Sequence, residues 1–343
     1  MSNPAPVQAS DRLGRPLRSL RISVTDRCNL RCRYCLPAEV FGPDFAFLPR
    51  SEVLSFEEIV RVAEAAVHLG VKAIKITGGE PLLRRDLPVL IRKLRGIDKE
   101  IDLSLTTNGL RLATCLPDLK AAGLDRINIS LDALDPEAAI RMAGRELDPE
   151  QVWAAVLATL EAGIPVKVNT VIQRGINESE ILPLAGRCRE AGIALRFIEY
   201  MDVGTRNGWK RESVFTGSEV LEQLRQHWSL SPVGNPVVGE TARRFRYDDG
   251  AGEVGFINSI SEPFCRTCGR ARIAADGTLY TCLFAESGVN LKPWLRHEEL
   301  ATPQLAERLL QHWRGRRDRY SEERAQYSVQ EGSGRPEMWA IGG

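Results

Sequence analysis

Lysine and histidine are both scarce in this chain of 343 residues, with eight lysines against 38 arginines and only four histidines. The near balance of charge, +1 overall, excludes a global attraction to nucleic acid or to a membrane surface. An anionic ligand therefore has to meet a local group of cations, and a lysine beside a candidate site is informative because there are so few. No stretch approaches ~18 consecutive apolar residues, and the segment from Met1 to Arg15 lacks the apolar run of a secretory signal. The expectation is a cytoplasmic protein with no membrane or nucleic-acid partner. The motif GxxxxGK[ST] is missing, so a bound nucleotide would not sit in a P-loop. There is no fixed-period repeat and no strong low-complexity tract.

What is present is a 43% hydrophobic chain, enough for one large domain or a large and a small one. Apolar runs set against helix signals predict strands near Arg21–Thr25, Val71–Thr77, Ile101–Thr106, Arg126–Leu131, Val166–Ile172 and Ala194–Glu199. Ser55 with Glu58 reads as a capping box, and Asp148, Pro149 and Gln151 repeat that signature. Gly70, Gly123, Gly163 and Gly192 supply helix stops. Strands separated by helices are parallel with right-handed crossovers, so a curved α/β sheet or partial barrel is expected, with function at the strands' C-terminal ends. Beyond Met201 the pattern changes to a helix at Ser218–His227, short strands at Arg243–Tyr247 and Val254–Ile260, and a type I′ hairpin turn at Asp276–Gly277. A last amphipathic helix spans Gln304–Arg314, and the polar segment Ser321–Gly343 is expected to have no fixed structure unless captured. The implied division is 11–230 for the barrel, 231–320 for a smaller α+β region, and 321–343 for a tail.

Eight cysteines in a chain without an export signal should stay reduced, which favours metal or redox chemistry over disulfides. CNLRCRYC places Cys28, Cys32 and Cys35 in CxxxCxxC spacing just after the first strand. A [4Fe–4S] cluster normally takes four thiolates, so three local ligands leave one iron open to a small molecule. Zinc competes for thiolates, but structural zinc prefers four protein ligands, and His68, His227, His297 and His312 lie far from this segment. Cys265 and Cys268 form a CxxC, with Cys282 returning after the Asp276–Gly277 turn. Again three thiolates are present, and a second open cluster and a zinc site both remain possible on spacing alone. Cys115 and Cys188 fall in predicted helices, where packing accounts for them. Arg270 and Arg272, two apart on a strand, face one way beside the second triad and suit a polyphosphate, although a solvated basic edge strand has the same pattern.

CNLRCRYC followed by TGGEP resembles the radical S-adenosylmethionine superfamily. The ordered series DRLGRPLRSLRISVTDRCNLRCRYC, KITGGEP, TTNG, INISLDALD, RFIEYMDVG with NGW, the FCRTC segment and the final Gly342–Gly343 resembles one family within it, the GTP 3′,8-cyclases of molybdenum cofactor biosynthesis. The resemblance covers the chain from about Asp11 to its end. It implies an incomplete TIM-like β6α6 barrel of parallel strands with a smaller C-terminal α+β region carrying a second cluster. It also implies a lyase with two [4Fe–4S] clusters, held by Cys28, Cys32, Cys35 and by Cys265, Cys268, Cys282. S-adenosylmethionine would sit at the first, contacted by Tyr34, Gly79, Ser130 and Met201. GTP would meet the second, contacted by Arg21, Lys75, Thr106, Lys167, Arg270 and Arg272, with Arg196, Gly342 and Gly343 completing the catalytic set. The implied reaction begins with a 5′-deoxyadenosyl radical that takes the ribose 3′ hydrogen of GTP, after which the substrate radical attacks guanine C8. The partners implied are an electron donor of flavodoxin or ferredoxin type, a downstream cyclic pyranopterin monophosphate synthase, and a second copy in a homodimer. Gly269 stands where the family often has asparagine and Ala271 where a larger apolar residue is common, so altered packing is expected there.

A radical peptide or protein maturase with an auxiliary cluster is the alternative, weakened because such auxiliary regions usually carry more cysteines than the three here. A non-catalytic iron–sulfur carrier or zinc-ribbon nucleic-acid module is weakened by TGGEP and the near-neutral charge.

Overall fold

The computed structural model describes residues 9–42, 44–234, 239–326 and 335–342. Six strands alternate with helices along the first part of the chain. They are β1 (Ser19–Ser23), β2 (Ala73–Thr77), β3 (Asp102–Thr107), β4 (Arg126–Ser130), β5 (Val166–Ile172) and β6 (Ala194–Glu199). The helices are α1 (Phe56–His68), α2 (Leu87–Arg95), α3 (Leu112–Ala121), α4 (Pro136–Ala143), α5 (Pro149–Glu161) and α6 (Ile181–Glu190). All six strands pair in parallel, in sequence order. Along β1 the fully buried Leu20 and Ile22 face the helix layer, so Arg21 between them faces the other way. This alternation directs cationic and polar side chains to the concave face while the apolar ones build the core.

Local signals explain where the helices begin and end. Ser55 and Glu58 close a reciprocal capping box on α1. At α5 the expected box is not formed: the Asp148 carboxylate accepts from Glu150 N, a simple N-cap. Gly70, Gly123, Gly163 and Gly192 all take positive φ just past helix ends, as a left-handed C-cap requires.

Helix α7 (Gly217–Arg225) precedes β7 (Leu230–Pro232), β8 (Arg243–Tyr247) and β9 (Glu253–Ile257), and β9 adds in parallel to β6. At the opposite edge β10 (Arg270–Ile273) adds in parallel to β1, followed by β11 (Thr278–Tyr280) and β12 (Val289–Asn290). The C-terminal strands thus extend the same sheet at both edges, in the order β12-β11-β10-β1-β2-β3-β4-β5-β6-β9-β8-β7. Eight parallel strands from β10 to β9 form the curved wall. Helix α8 (Thr302–Gly315) packs on α1 through Leu305, Leu309 and Trp313, and α9 (Tyr320–Glu323) follows.

Two expectations are corrected. The β10–β11 connection is not a type I′ turn, because only Gly277 has positive φ. Gly277 N donates to Ala274 O and Ala274 N to Thr278 O, the pattern of a longer turn closed by a left-handed glycine. The tail is also more ordered than its composition implied, since 321–326 continue in helical turns and 335–342 dock against the barrel. Among the described residues no helix is long and apolar enough to cross a membrane.

Candidate active site

The loop after β1 is built around its own backbone. Cys35 N and Leu36 N both donate to Cys32 O, winding the cysteine segment into a tight turn. Arg31 donates from Nη1 to Cys28 O at 2.9 Å and from Nε to Phe41 O at 3.0 Å, and the carbonyls of Met142 and Ala143 at the end of α4 accept from Arg33 N and Arg31 N. The end of β2 straps down the same loop, with Gly79 N bonded to Thr25 O and Glu80 N to Arg27 O. A Cβ on Gly79 would stand 2.3 Å from Arg27 O. The glycine is required by the approach of this chain's own backbone, a reason the sequence did not reveal.

The thiols of Cys28, Cys32 and Cys35 are free and line one cavity at the C-terminal ends of the strands. Burial pushes Cys28 up to about 11, and burial together with the neighbouring thiols also raises Cys32 and Cys35. Three buried thiols cannot ionise side by side without a cation, and a thiophilic metal centre supplies that charge. Among the described residues no three His, Cys, Asp or Glu side chains are grouped as a single metal ion requires. In a cubane each thiolate takes a different iron, so the donor set fits a cluster better than mononuclear zinc.

Tyr34, Gly79, Ser130 and Met201 line the same cavity. The Tyr34 hydroxyl donates to Asp132 Oδ2 at 2.9 Å, while Asp132 Oδ1 accepts from Val171 N at 2.8 Å. Burial holds the Asp132 carboxyl up to about 6. Asp132 escaped the sequence reading; its signal was its place two residues beyond Ser130 at a strand end. Glu80 is occupied structurally, accepting from Thr107 Oγ1 and Leu82 N on one oxygen and from Asn108 N on the other, which ties β2 to β3.

Cys265, Cys268 and Cys282 line this cavity too, the β10–β11 hairpin having brought Cys282 back. Burial opposes ionisation of Cys268, yet the charges of Arg270 and Arg316 outweigh it and bring the thiol down to about 6. Cys282, without such donors, is raised to about 12 by burial.

Between the triads runs a row of cations. Arg272 on β10, Arg21 on β1 and Lys75 on β2 are register neighbours across three adjacent strands. Burial first, then repulsion from neighbouring guanidiniums, lowers the pKa of Arg21 and Lys75 well below the ordinary range; burial and the nearby Arg270 bring that of Arg272 to about 10. Arg270 and Arg196 complete the lining. Among the described residues none of these five has a carboxylate within ion-pair distance. Thr77 Oγ1, Thr106 Oγ1 and Asn169 Oδ1 are buried in the same wall and have no hydrogen-bond partner among the described residues. Such a wall lacks an anion and polar ligand atoms. Asn169 was not singled out in the sequence and becomes visible only through this missing partner.

Lys167 lies outside the lining. It sits two residues before Asn169 on the same face of β5, toward the strand's N-terminal end, and burial with the nearby Arg196 lowers it to about 8. Gly342 enters through its backbone: its carbonyl accepts from Arg272 Nη1 at 2.7 Å. The tail is held there by the fully buried Ile341, by Trp339 among Phe41, Phe45 and Phe47, and by Glu337 accepting from Thr205 N. Gly343 lies outside the described residues.

Residues 22–188 match the Radical SAM superfamily model and residues 193–322 match Molybdenum Cofactor Synthesis C. A protein of Acidothermus cellulolyticus named GTP 3′,8-cyclase is 49% identical over 92% of this chain and 88% of its own length. One from Staphylococcus aureus strain Mu3 with the same name is 47% identical over 94% and 95%. Among solved structures, Streptococcus suis SuiB bound to S-adenosylmethionine superposes with a TM-score of 0.60 at 16% identity, covering 87% of this chain and 66% of that one. SuiB bound to the precursor peptide SuiA gives 0.61 at 17% identity, with 91% and 67% covered. At these identities the likeness to SuiB is one of fold.

The tail contact generates a prediction. Gly342 has φ +68, and a Cβ there would stand 2.3 Å from Thr77 Oγ1. Gly342→Ala adds a left-handed penalty of about 1–2 kcal/mol to that clash, so the tail should leave Arg272 and chymotrypsin should cut after Trp339 several-fold faster than in wild type. Unaltered protection would contradict the docked tail.

Proposed function

Since the chain belongs to the GTP 3′,8-cyclase family, we propose that it closes GTP into 3′,8-cyclo-7,8-dihydroguanosine 5′-triphosphate, the first step of molybdenum cofactor biosynthesis. It is a radical S-adenosylmethionine enzyme, a lyase that uses S-adenosylmethionine and an iron–sulfur cluster. The observation that carries the substrate reading is the row of buried Arg272 with half-buried Arg21 and Lys75, which has no carboxylate within ion-pair distance among the described residues. A triphosphate supplies the charge that this row lacks.

In this reading Cys28, Cys32 and Cys35 hold the first [4Fe–4S] cluster and Cys265, Cys268 and Cys282 hold a second. When bound, the first cluster and S-adenosylmethionine would supply the radical chemistry that takes the ribose 3′ hydrogen; closure of C3′ on guanine C8 would then need one electron, from the reduced carrier that feeds the enzyme, and one proton to give the 7,8-dihydro product. The protein's work is placement. Tyr34, fixed by Asp132, and the backbone at Gly79 position the cofactor with Ser130 and Met201. Arg21, Lys75, Thr106, Arg270 and Arg272 grip the nucleotide, and Lys167 meets its polyphosphate at the lower end of the barrel. Arg196 neutralises charge across the cavity, while Gly342 brings backbone into the site where a side chain would not fit, and Gly343 is assigned to the catalytic set by the family resemblance alone. With both ligands held in one cavity the reacting atoms are oriented in advance, and the docked tail excludes water from the radical.

The domain reading is 11–230 for the radical barrel, 231–320 for the auxiliary-cluster region and 321–343 for the tail. The protein is cytoplasmic and homodimeric, takes electrons from a flavodoxin- or ferredoxin-type carrier, and passes its product to a cyclic pyranopterin monophosphate synthase. The SuiB fold is shared with a protein that binds a peptide, but the cationic row favours a polyphosphate over a peptide.

Anaerobic incubation of the reconstituted protein with GTP, S-adenosylmethionine and reductant should give 5′-deoxyadenosine together with a cyclised guanosine triphosphate. Cofactor cleavage with GTP recovered unchanged would overturn the reading.

GTP affinity should also depend on pH. Free Lys167 loses its proton near pH 8, and a bound triphosphate favours its charged form. Above that pH binding must take up a proton, so affinity should fall by up to roughly tenfold per unit toward the bound-state pKa. Lys167→Met should reduce the slope, leaving what Lys75, also lowered by burial, contributes; a slope unchanged by Lys167→Met would contradict the assignment of Lys167.

A further inference from the structure

The DRLGR stretch at the start of the recognisable sequence contributes no side chain to the cavity wall, although Asp11 and Arg15 within it are engaged in several hydrogen bonds. Gly14, at φ +73, closes a turn in which Asp11 Oδ1 accepts from Leu13 N and Arg15 N, both at 2.9 Å. Asp11 Oδ2 accepts from Arg15 Nε at 2.6 Å and from Arg316 Nη1 at 3.3 Å. One fully buried carboxylate thus joins two guanidiniums whose side chains are 2% and 1% exposed.

Each guanidinium reaches a different end of the second CxxC. Arg15 Nη1 donates to Cys265 O at 2.9 Å and to Asp318 O at 2.8 Å. Arg316 Nη1 donates to Cys268 O at 2.6 Å, and its Nη2 donates to the Cys268 sulfur at 3.4 Å. Arg316 lies over the Trp313 ring, and Trp313 Nε1 donates to Arg15 O, so neither arginine is free to turn. Gly269, between the cysteine and the arginine pair, makes the approach possible: a Cβ there would be 2.3 Å from Pro16 O. Among the described residues no guanidinium donates to a sulfur of the first triad, and the Cys28 sulfur accepts from Leu30 N at 3.4 Å.

We propose that Asp11, Arg15 and Arg316 are positioning residues that clamp the second cysteine triad and, through Arg316 on the Cys268 sulfur, raise the reduction potential of the cluster it holds. This rests on the reading of Cys265, Cys268 and Cys282 as cluster ligands. A charged donor at a ligating sulfur stabilises the more negative, reduced cluster. The shared carboxylate holds both guanidiniums in register, so the clamp acts on the geometry of both cysteines at once.

The test is an EPR-monitored redox titration of the full-length, reconstituted protein without GTP or S-adenosylmethionine, with iron and sulfide analysis. A Cys28→Ser, Cys32→Ser, Cys35→Ser variant identifies the second cluster's signal. Arg316→Gln should lower that midpoint by at least ~59 mV, a tenfold change in a one-electron equilibrium, while the first cluster stays unmoved. Selective loss of about four of about eight irons would equally support the clamp. An unchanged midpoint with full iron content overturns it. If Arg316→Gln does not fold, Arg316→Lys replaces it, since the three N–H groups of a shorter ammonium cannot serve the four acceptors of Arg316, Asp11 Oδ2, Asp318 Oδ2, Cys268 O and Cys268 Sγ; a lowered midpoint supports the clamp and an unchanged one overturns it. Wild-type protein with about four irons would instead remove the second cluster itself, a failure distinct from that of the clamp.

Discussion

Positive charge withdrawn from solvent, with no carboxylate at ion-pair distance among the described residues, governs the architecture of this site. Arg272, Arg21 and Lys75 lie side by side across β10, β1 and β2, each facing the concave side because its strand neighbours face the helices. Removing an ion from water costs several kcal/mol even after relaxation, and here like charges are added to that cost. The sheet tolerates the row because the surrounding core is continuous, from the helix-facing strand residues to α8 packed on α1. The Gly342 carbonyl gives Arg272 a neutral acceptor, which relieves hydrogen bonding but leaves the charge in place. A polyanion is the ligand that removes the repulsion, so binding and folding energetics oppose one another at the same three residues.

The two cysteine triads share the cavity but differ in their surroundings. The first is closed in by its own loop, by the end of β2 and by α4, with backbone groups as its neighbours and thiols driven upward by burial. The second lies under Arg270 and Arg316, and its Cys268 is acidic. The chain thereby presents one apolar and one cationic thiol site to ligands in a common space.

The features legible in the sequence were those set by local rules. Alternating strands and helices, the Ser55–Glu58 box and the glycine stops at 70, 123, 163 and 192 each depend on residues within one or two turns. The cysteine spacings were legible for the same reason. Features that depend on distant partners were not. Nothing local says that β9 and β10 join β6 and β1 in parallel, since strand pairing is settled by what lies beside an edge. Arg316 meets Asp11 across 305 positions of sequence, and the unpartnered oxygen of Asn169 exists only within the assembled wall. The tail misled because a polar, glycine-containing composition describes solubility, whereas Met338, Trp339 and Ile341 supply a short apolar stretch that the barrel mouth covers.

The account stands on the claim that the concave face is built to receive a polyphosphate. Calorimetric titration of the reconstituted, oxygen-free protein with GTP and, separately, with guanosine tests this directly. GTP should bind at least about a hundredfold more tightly, as expected when several charge-assisted hydrogen bonds of about 1.5–3 kcal/mol each are made. Equal affinity for the neutral nucleoside would mean that the buried cations serve some other purpose, and the account would fail.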